Sequence, residues 1–478
     1  MRKVLLYICS VFILGGMTSC EDFLDKREDV GLTEDDIFRD YYSLRGFLDQ
    51  SFNQLENVMV MDNWENGRAF VGLFADEMAT TDNSSAVFTL HSGNWLSNAK
   101  SNKTFEIGNA GSTAISRSYK ALRINNRIIN DIDKAPLTPE QKNEILGQAY
   151  FYRSWFYFQI IKRYGGMPII DKVFEGGDDD IPRMTYHESH DWMMEDIQKA
   201  IYMLPDSWDD PNYGRPTKIA AMALKEWAQL FDASPLMQND LNSTENKGYD
   251  TERAKSAAKS AYEVIRYMDG SKSAPYPYGL ASKEEYTNVF YFKYPPVHQP
   301  EYIWVKRQFP NAANQNQKRT IRTFWQYEDL AFGSGPDGNS MCCPSLNIVN
   351  MFDKKGADGI YYPIDDPRSG YALDYDHKPF EDRDPRFYNN ILLPGTTWGH
   401  YADGRTYYIT TYKGGAAYQH MLTQKDCNKR MFTGFMCKKF MWPECNQYLE
   451  KNNPNCWWDY RFLTIYIRAC LLYTSPSP

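Results

Sequence analysis

The segment GQAYFYRSWFYFQIIKRYGGMPII, from Gly147 to Ile170, constrains the fold of this chain more than any other stretch. It carries aromatic and aliphatic side chains on every side of a helix-length run, in a chain where 24% of residues are charged. Three explanations compete: a membrane span, a platform for a ring-shaped ligand, or a core helix between layers of other helices. A span fails because Arg153, Gln159, Lys162 and Arg163 interrupt a stretch already shorter than the roughly 20 apolar residues a bilayer needs. A platform fails because rings spread around a regular helix cannot all face one ligand. A helix that is apolar all round is a buried helix, and its tyrosine hydroxyls and Arg153 then need partners from neighbouring helices.

Punctuation along the chain predicts those neighbours. Thr33 and Asp36 form a near capping box for a first helix running to about Asn57, with apolar positions at Ile37, Tyr41, Leu44, Leu48 and Leu55. RAFVGLFADEMATT is a second, shorter helical candidate, and the polar stretch from Asp82 to Thr104 reads as a long loop. Ile115, Tyr119, Leu122, Ile129 and Ile132 repeat at helical spacing. Thr138, Pro139 and Glu140 open the quoted helix, and Gly165, Gly166 and Pro168 close it. Thr185 and Glu188 form a capping box for a helix to Leu204, which Pro205 stops. The Ala-rich run from Thr217 to Asp232 suits close approach of a partner helix, and Glu252 to Met268 adds another. Beyond Tyr276 Gly, Pro and aromatics rise, and GSGPDGNS and YPIDDPRSGYALDYDHKP read as loops. EYIWVKRQF and GRTYYITTY are strand candidates there. No repeat of fixed period is evident.

The start of the chain, MRKVLLYICSVFILGGMTSC, places Arg2 and Lys3 before an apolar run from Val4 to Leu14 and then small residues, the layout of a secretory signal peptide. Met17, Thr18 and Ser19 before Cys20 resemble a bacterial lipobox, so Cys20 is the expected lipidation site and residues 1–19 the removed signal. The acidic stretch 20–31 would be a leash from the lipid, which anchors stably when more than one acyl chain is attached. Of the other cysteines, Cys342 and Cys343 are vicinal. Cys427, Cys437, Cys445 and Cys456 could make two disulfides in any of three pairings, and their spacing lacks the close pairs of a zinc site. Reduced or locally paired thiols are favoured.

With 478 residues the chain can bury a substantial core in one to three domains. A net charge of −8 argues against nucleic acid as a partner. The unusual quantity is 15% aromatic residues, 35 Tyr, 26 Phe and 12 Trp, which exceeds what a core needs and leaves rings for ligands such as sugars.

Catalytic patterns are weak. Ser97 with Lys100 and Ser256 with Lys259 fit SxxK without companion motifs. His187, Glu188 and His190 sit at a helix start where Glu188 already has a capping role, and Asp178 to Asp180 lack the ligand alternation of a calcium loop. No metal, cofactor or catalytic residue is assigned. DRDPRF, with Asp382, Arg383, Asp384 and Arg386, reads as a turn with local ion pairs. Sugar binding asks for flat rings beside planar polar groups. The candidates are Trp95 with Asn94 and Asn98, Trp64 with Asn63 and Arg68, and Trp325 with Arg322 and Tyr327.

The ordered blocks SCEDFLDK, SYKALRINNRIIND, the quoted helix, IPRMTYHESHDWMMEDIQKAIYMLP, GRPTKIAAMALKEWAQLFDASPL, PSLNIVNMFDKKGADG, DRDPRFYNNI and TGFMCKKF resemble the SusD/RagB family across nearly the whole mature chain. The resemblance implies an all-α, mainly helical protein of tetratricopeptide-like helical pairs, with a loop-rich C-terminal half and a few short strands. It also implies a Gram-negative surface lipoprotein that captures glycans and closes over a SusC-like TonB-dependent transporter in the outer membrane. The expected division is a helical part over 32–270 and a loop-rich part over 271–469. The tail 470–478 resembles translated adaptor sequence where the family would continue into its last helices, so a final helical pair is expected to be missing. A surface glycoside hydrolase and a lipoprotein that recruits peptides or proteins remain alternatives.

Overall fold

Capping side chains set the helices of the N-terminal part. The described residues of the computed structural model are 33–55, 77–80, 114–174, 180–238, 248, 250–273, 277–282, 284–286, 299–307, 342–374, 376–400, 406–415, 418, 433–438 and 463–468. Helix α1 (Glu34–Phe38) starts behind Thr33, and Thr33 and Asp36 form a reciprocal capping box. The single first helix expected from the sequence is broken. Asp40 accepts from the Ser43 backbone N–H at 2.8 Å and so caps a new helix, α2 (Tyr41–Asn53). A short carboxylate that can bond its own backbone favours a cap over a helix interior.

Next come α3 (Ala114–Asp131) and α4 (Pro139–Tyr164), the latter capped by Thr138 with Gln141 as reciprocal partner and Pro139 at its first turn. Gly165 ends α4 at φ +77°, a conformation that suits glycine. Gly166 is needed for a different reason: a Cβ there would lie 2.1 Å from the Met184 carbonyl oxygen. Thr185 and Glu188 cap α5 (Tyr186–Met203), Thr217 caps α6 (Lys218–Ala233) and Asp250 caps α7 (Thr251–Gly270). Each helix from α2 to α7 packs on the next in sequence, the nearest-neighbour stacking of a helical solenoid.

Helix α4 sits inside this stack, touching α2, α3, α5 and α6. From Ile145 to Ile161 every residue except Tyr150 is buried. Its rings meet rings from three directions: Phe151 and Trp155 each pack edge-on to Trp304 at 4.8 Å, Tyr157 meets Trp192 at 4.7 Å, and Phe158 meets Trp227 at 5.3 Å. The polar groups find the partners that burial demands. Tyr157 donates its hydroxyl to the Met167 and Pro168 carbonyls, both at 3.0 Å. Arg153, 5% exposed, forks onto Asp196 of α5 at 2.5 and 2.8 Å and donates to Asn126 of α3 at 3.0 Å. No helix among the described residues is long and apolar enough to cross a membrane.

The second half is built from short pieces. Its strands, with one from the first half, are β1 (Met78–Thr80), β2 (Tyr302–Arg307), β3 (Cys342–Pro344), β4 (Lys354–Lys355), β5 (Tyr361–Tyr362), β6 (Ile391–Leu392), β7 (Thr397–His400), β8 (Thr406–Tyr408), β9 (Met436–Cys437) and β10 (Leu463–Arg468). They form two-stranded antiparallel pairs, β1–β3, β2–β10, β4–β5, β6–β9 and β7–β8. The strand candidates EYIWVKRQF and GRTYYITTY contain β2 and β8. The helical reading of RAFVGLFADEMATT is overturned at its end: Met78–Thr80 is extended because it pairs with Cys342–Pro344, a partner that local periodicity cannot reveal. Residues 68–76 lie outside the described set.

Short helix α8 (Leu346–Asn350) precedes the DRDPRF block, and α9 (Pro385–Asn390) begins inside it, capped by Asp384. Asp384 pairs with Arg386 at 2.7 Å, as expected of a local ion pair. Arg383 does something else: at 1% exposure it donates to the Val349 and Phe352 carbonyls, both at 2.6 Å, and to the Pro379 carbonyl at 3.1 Å, with Phe387 beneath it. It ties two loops and α8 together through backbone oxygens. Cys343 is buried, and Cys427, Cys445 and Cys456 lie outside the described residues.

Removing one member of the Arg153–Asp196 pair strands a buried charge. Asp196→Ala is therefore expected to cost about 3–5 kcal/mol in urea unfolding, and the double change Arg153→Met with Asp196→Leu less than that. Equal losses would show that the pair does not act as a unit.

Candidate functional site

A cleft of about 500 Å³ opens where three segments converge. One wall is the turn from Asp206 to Thr217 that joins α5 to α6, the second is the end of α7 with the residues after it, and the floor is β2. Rings line it from all three: Trp208 and Tyr213, Tyr267 and Tyr278, and Tyr302 and Trp304. The turn can present rings because it is Pro-, Gly- and Asp-rich and pinned at both ends by helix caps, so its side chains are not consumed by helical packing.

The rings are fixed by their polar ends. Trp208 donates its indole N–H to the Pro216 carbonyl at 2.8 Å, and Trp304 donates to the Gly214 carbonyl at 3.1 Å. Tyr267 donates its hydroxyl to Asp206 at 2.6 Å. That bond, followed by the nearby Lys218 ammonium, holds the Asp206 carboxyl below the usual carboxylate range, while burial and then Asp206 push the Tyr267 phenol up. Asp206 is a carboxylate at the mouth of the cleft, with Lys218 at 3.3 Å. Arg215, also on the lining, is held by Asp49 at 2.7 Å and Gln148 at 3.0 Å. Two charged groups therefore line the cleft among the described residues, Asp206 and Arg215, and each has a protein partner.

The floor is anchored to the helical stack. Trp304 lies against Phe151 and Trp155 of α4, and Lys306 donates to the Phe52 and Leu55 carbonyls at the end of α2, at 2.9 and 3.4 Å. Burial, reinforced by the Arg117 charge, pulls the Lys306 ammonium down to about 8.

The sugar-binding candidates from sequence, Trp95, Asn94, Asn98, Trp64, Asn63, Arg68, Trp325, Arg322 and Tyr327, and the lipidation candidate Cys20, all lie outside the described residues. The cleft residues Trp208 and Tyr213 were missed although PDSWDDPNYGRPT has the same character, a ring-bearing loop between capped helices. His187 and His190 turn to Asp232 of α6, the first at 2.8 Å and the second at 3.6 Å, with Arg253 of α7 paired to the same carboxylate. They form an interhelical joint, and no group of His, Cys, Asp or Glu among the described residues could hold a metal ion.

Residues 22–226 match the SusD-like family described as starch-binding and associating with the outer membrane, and residues 300–466 match the SusD family. The chain belongs to the SusD/RagB family. A search of curated proteins finds no match. Solved structures agree on the fold. A SusD-like protein from Bacteroides fragilis is 20% identical at TM-score 0.64, with 93% of this chain and 75% of that one covered. A SusD-like carbohydrate-binding protein from the same species is 17% identical at TM-score 0.62, with 92% and 74% covered. A structure solved with a xylogluco-oligosaccharide is 15% identical at TM-score 0.54, with 90% and 70% covered. At these identities the likeness is one of fold, and it places this SusD/RagB chain in the mainly helical class with few short strands.

Lys306 gives a pH signature. A lysine whose folded-state value falls from 10.5 to about 8 binds fewer protons folded than unfolded between those values, so its contribution to stability rises with pH across that window. Between pH 8 and pH 10 wild type should gain stability relative to Lys306→Met, by at most about 1.4 kcal/mol per pH unit in urea unfolding. A difference that does not change with pH would contradict the buried placement of this ammonium.

Proposed function

We propose that the chain is a lipid-anchored glycan-capture protein of the cell surface that holds an oligosaccharide and passes it to a SusC-like TonB-dependent transporter in the outer membrane. The observation that carries this reading is the pair of family matches, which together take in most of the chain and one of which is described as starch-binding. The ring-lined cleft supports it independently of the family, since rings whose polar ends are already bonded present apolar faces suited to a pyranose. One structure of similar fold was solved with a xylogluco-oligosaccharide.

In this reading Cys20 carries the lipid, 21–31 is the leash, 32–270 is the rigid helical scaffold and 271–469 forms the loop-rich part. Stacking and hydroxyl hydrogen bonds hold the sugar without breaking it, and no cofactor takes part. Trp95, Trp64 and Trp325, with their polar neighbours in sequence, are further candidate sugar contacts.

Migration through a gel containing a neutral polysaccharide tests capture. The protein is expected to be retarded and to release no new reducing ends. New reducing ends would make it a glycosidase, and free migration in a panel of polysaccharides would favour peptide or protein recruitment. Cys20→Ala is expected to move the exported protein from the detergent phase to the aqueous phase on phase separation, whereas retention in the detergent phase would contradict the anchor.

A further inference from the structure

We propose that the cleft between the 206–217 turn, the end of α7 and β2 is a short site for a neutral saccharide, with room for about two or three pyranose rings. This rests on the capture reading and adds the site, the size and the charge of the ligand.

Size comes from the cavity. A volume of about 500 Å³ lies in the range of roughly 300–1,000 Å³ that encloses a drug-sized molecule, which for a saccharide means only a few rings. A longer polymer could place only a few of its rings in a cleft of this volume. Chemistry comes from the lining. The N–H groups of Trp208 and Trp304 and the hydroxyl of Tyr267 are spent on the Pro216 and Gly214 carbonyls and on Asp206. What Trp208 and Tyr267 offer a ligand is their π-faces, which suit the axial C–H face of a pyranose. Trp208 and Tyr213 are half-buried on a turn, whereas Trp304 is 2% exposed and serves as floor.

Charge comes from Asp206 and Arg215. The side chain of Asp206 is 71% exposed at the mouth, and Arg215 is taken by Asp49 and Gln148. A uronate or sulfated sugar would meet a carboxylate, and to gain a cation it would have to compete with Asp206 for Lys218 or displace Asp49 from Arg215. A neutral sugar needs neither, and Asp206 can accept from its hydroxyls.

Tryptophan fluorescence of the full mature chain, titrated with neutral gluco-, xylo-, manno- and galacto-oligosaccharides from disaccharide to hexasaccharide and with the galacturonate series, tests this. At least one neutral series should bind, with affinity levelling off near the trisaccharide, and the galacturonates should bind at least about tenfold more weakly. Trp208→Ala should weaken binding about tenfold and Trp208→Phe should stay within about threefold of wild type. If Trp208→Ala does not fold by circular dichroism, Tyr213→Ala carries the same expectation. Unchanged affinity in the folded variants overturns the cleft assignment while leaving capture intact. Affinity that climbs steadily to the hexasaccharide overturns the short pocket, and equal binding of galacturonates overturns its neutrality. Binding of no saccharide overturns the capture reading and the cleft with it.

Discussion

A guanidinium locked between two carboxylate oxygens inside a helix with no exposed face is the constraint on which this structure depends. Arg153 cannot reach water, so it must reach Asp196, and Asp196 stands on the next helix. Asn126 completes the arrangement from the helix before. One side chain therefore sets the spacing of three consecutive helices. The aromatic rings around it provide the apolar burial that drives collapse, but rings alone tolerate sliding; the bidentate pair fixes register. With α4 held between its neighbours, the apolar residues on all its sides become an asset rather than a hazard of aggregation.

The same core reaches the ligand surface through one strand. Trp304 packs edge-on against Phe151 and Trp155 of α4 and also lines the cleft, so the floor of the site is the outer boundary of the core. Lys306, two residues further along β2, ties that strand to the end of α2. The wall of the proposed site is different in kind: a turn between two capped helices, with Trp208 and Tyr213 half-buried on it and Arg215 tying it to α2 and α4.

Much of the helical half was legible because helix ends carry local chemistry. Thr138 with Pro139, Thr185 with Glu188, Thr217 and Gly165 mark their boundaries within a residue or two, and the burial of the Gly147–Ile161 stretch, Tyr150 apart, follows from its all-round apolarity. Asp40 was a missed cap because the apolar spacing on either side of it runs on in helical phase. The pairing of Met78–Thr80 with Cys342–Pro344 was illegible for a different reason, since strand partners far apart in sequence leave no local pattern. DRDPRF reads as a turn with local ion pairs because the neighbours of Arg383 are aspartates, yet the partners of Arg383 are backbone oxygens, which every residue has and no sequence displays. At the site, the principle that loop tryptophans beside planar polar groups bind sugars was applied to Trp95, Trp64 and Trp325 and not to Trp208. The turn holding Trp208 is shorter, and only folding shows that α7 and β2 close around it.

Amide hydrogen exchange with and without a saturating neutral oligosaccharide tests the central claim, that a buried aromatic helix supports a separate ring-lined sugar site. The account predicts slow exchange along residues 145–161 in both states, and added protection on binding that is centred on 206–217 and 299–305. Rapid exchange through 145–161, or protection on binding that leaves 206–217 and 299–305 unchanged, would contradict it.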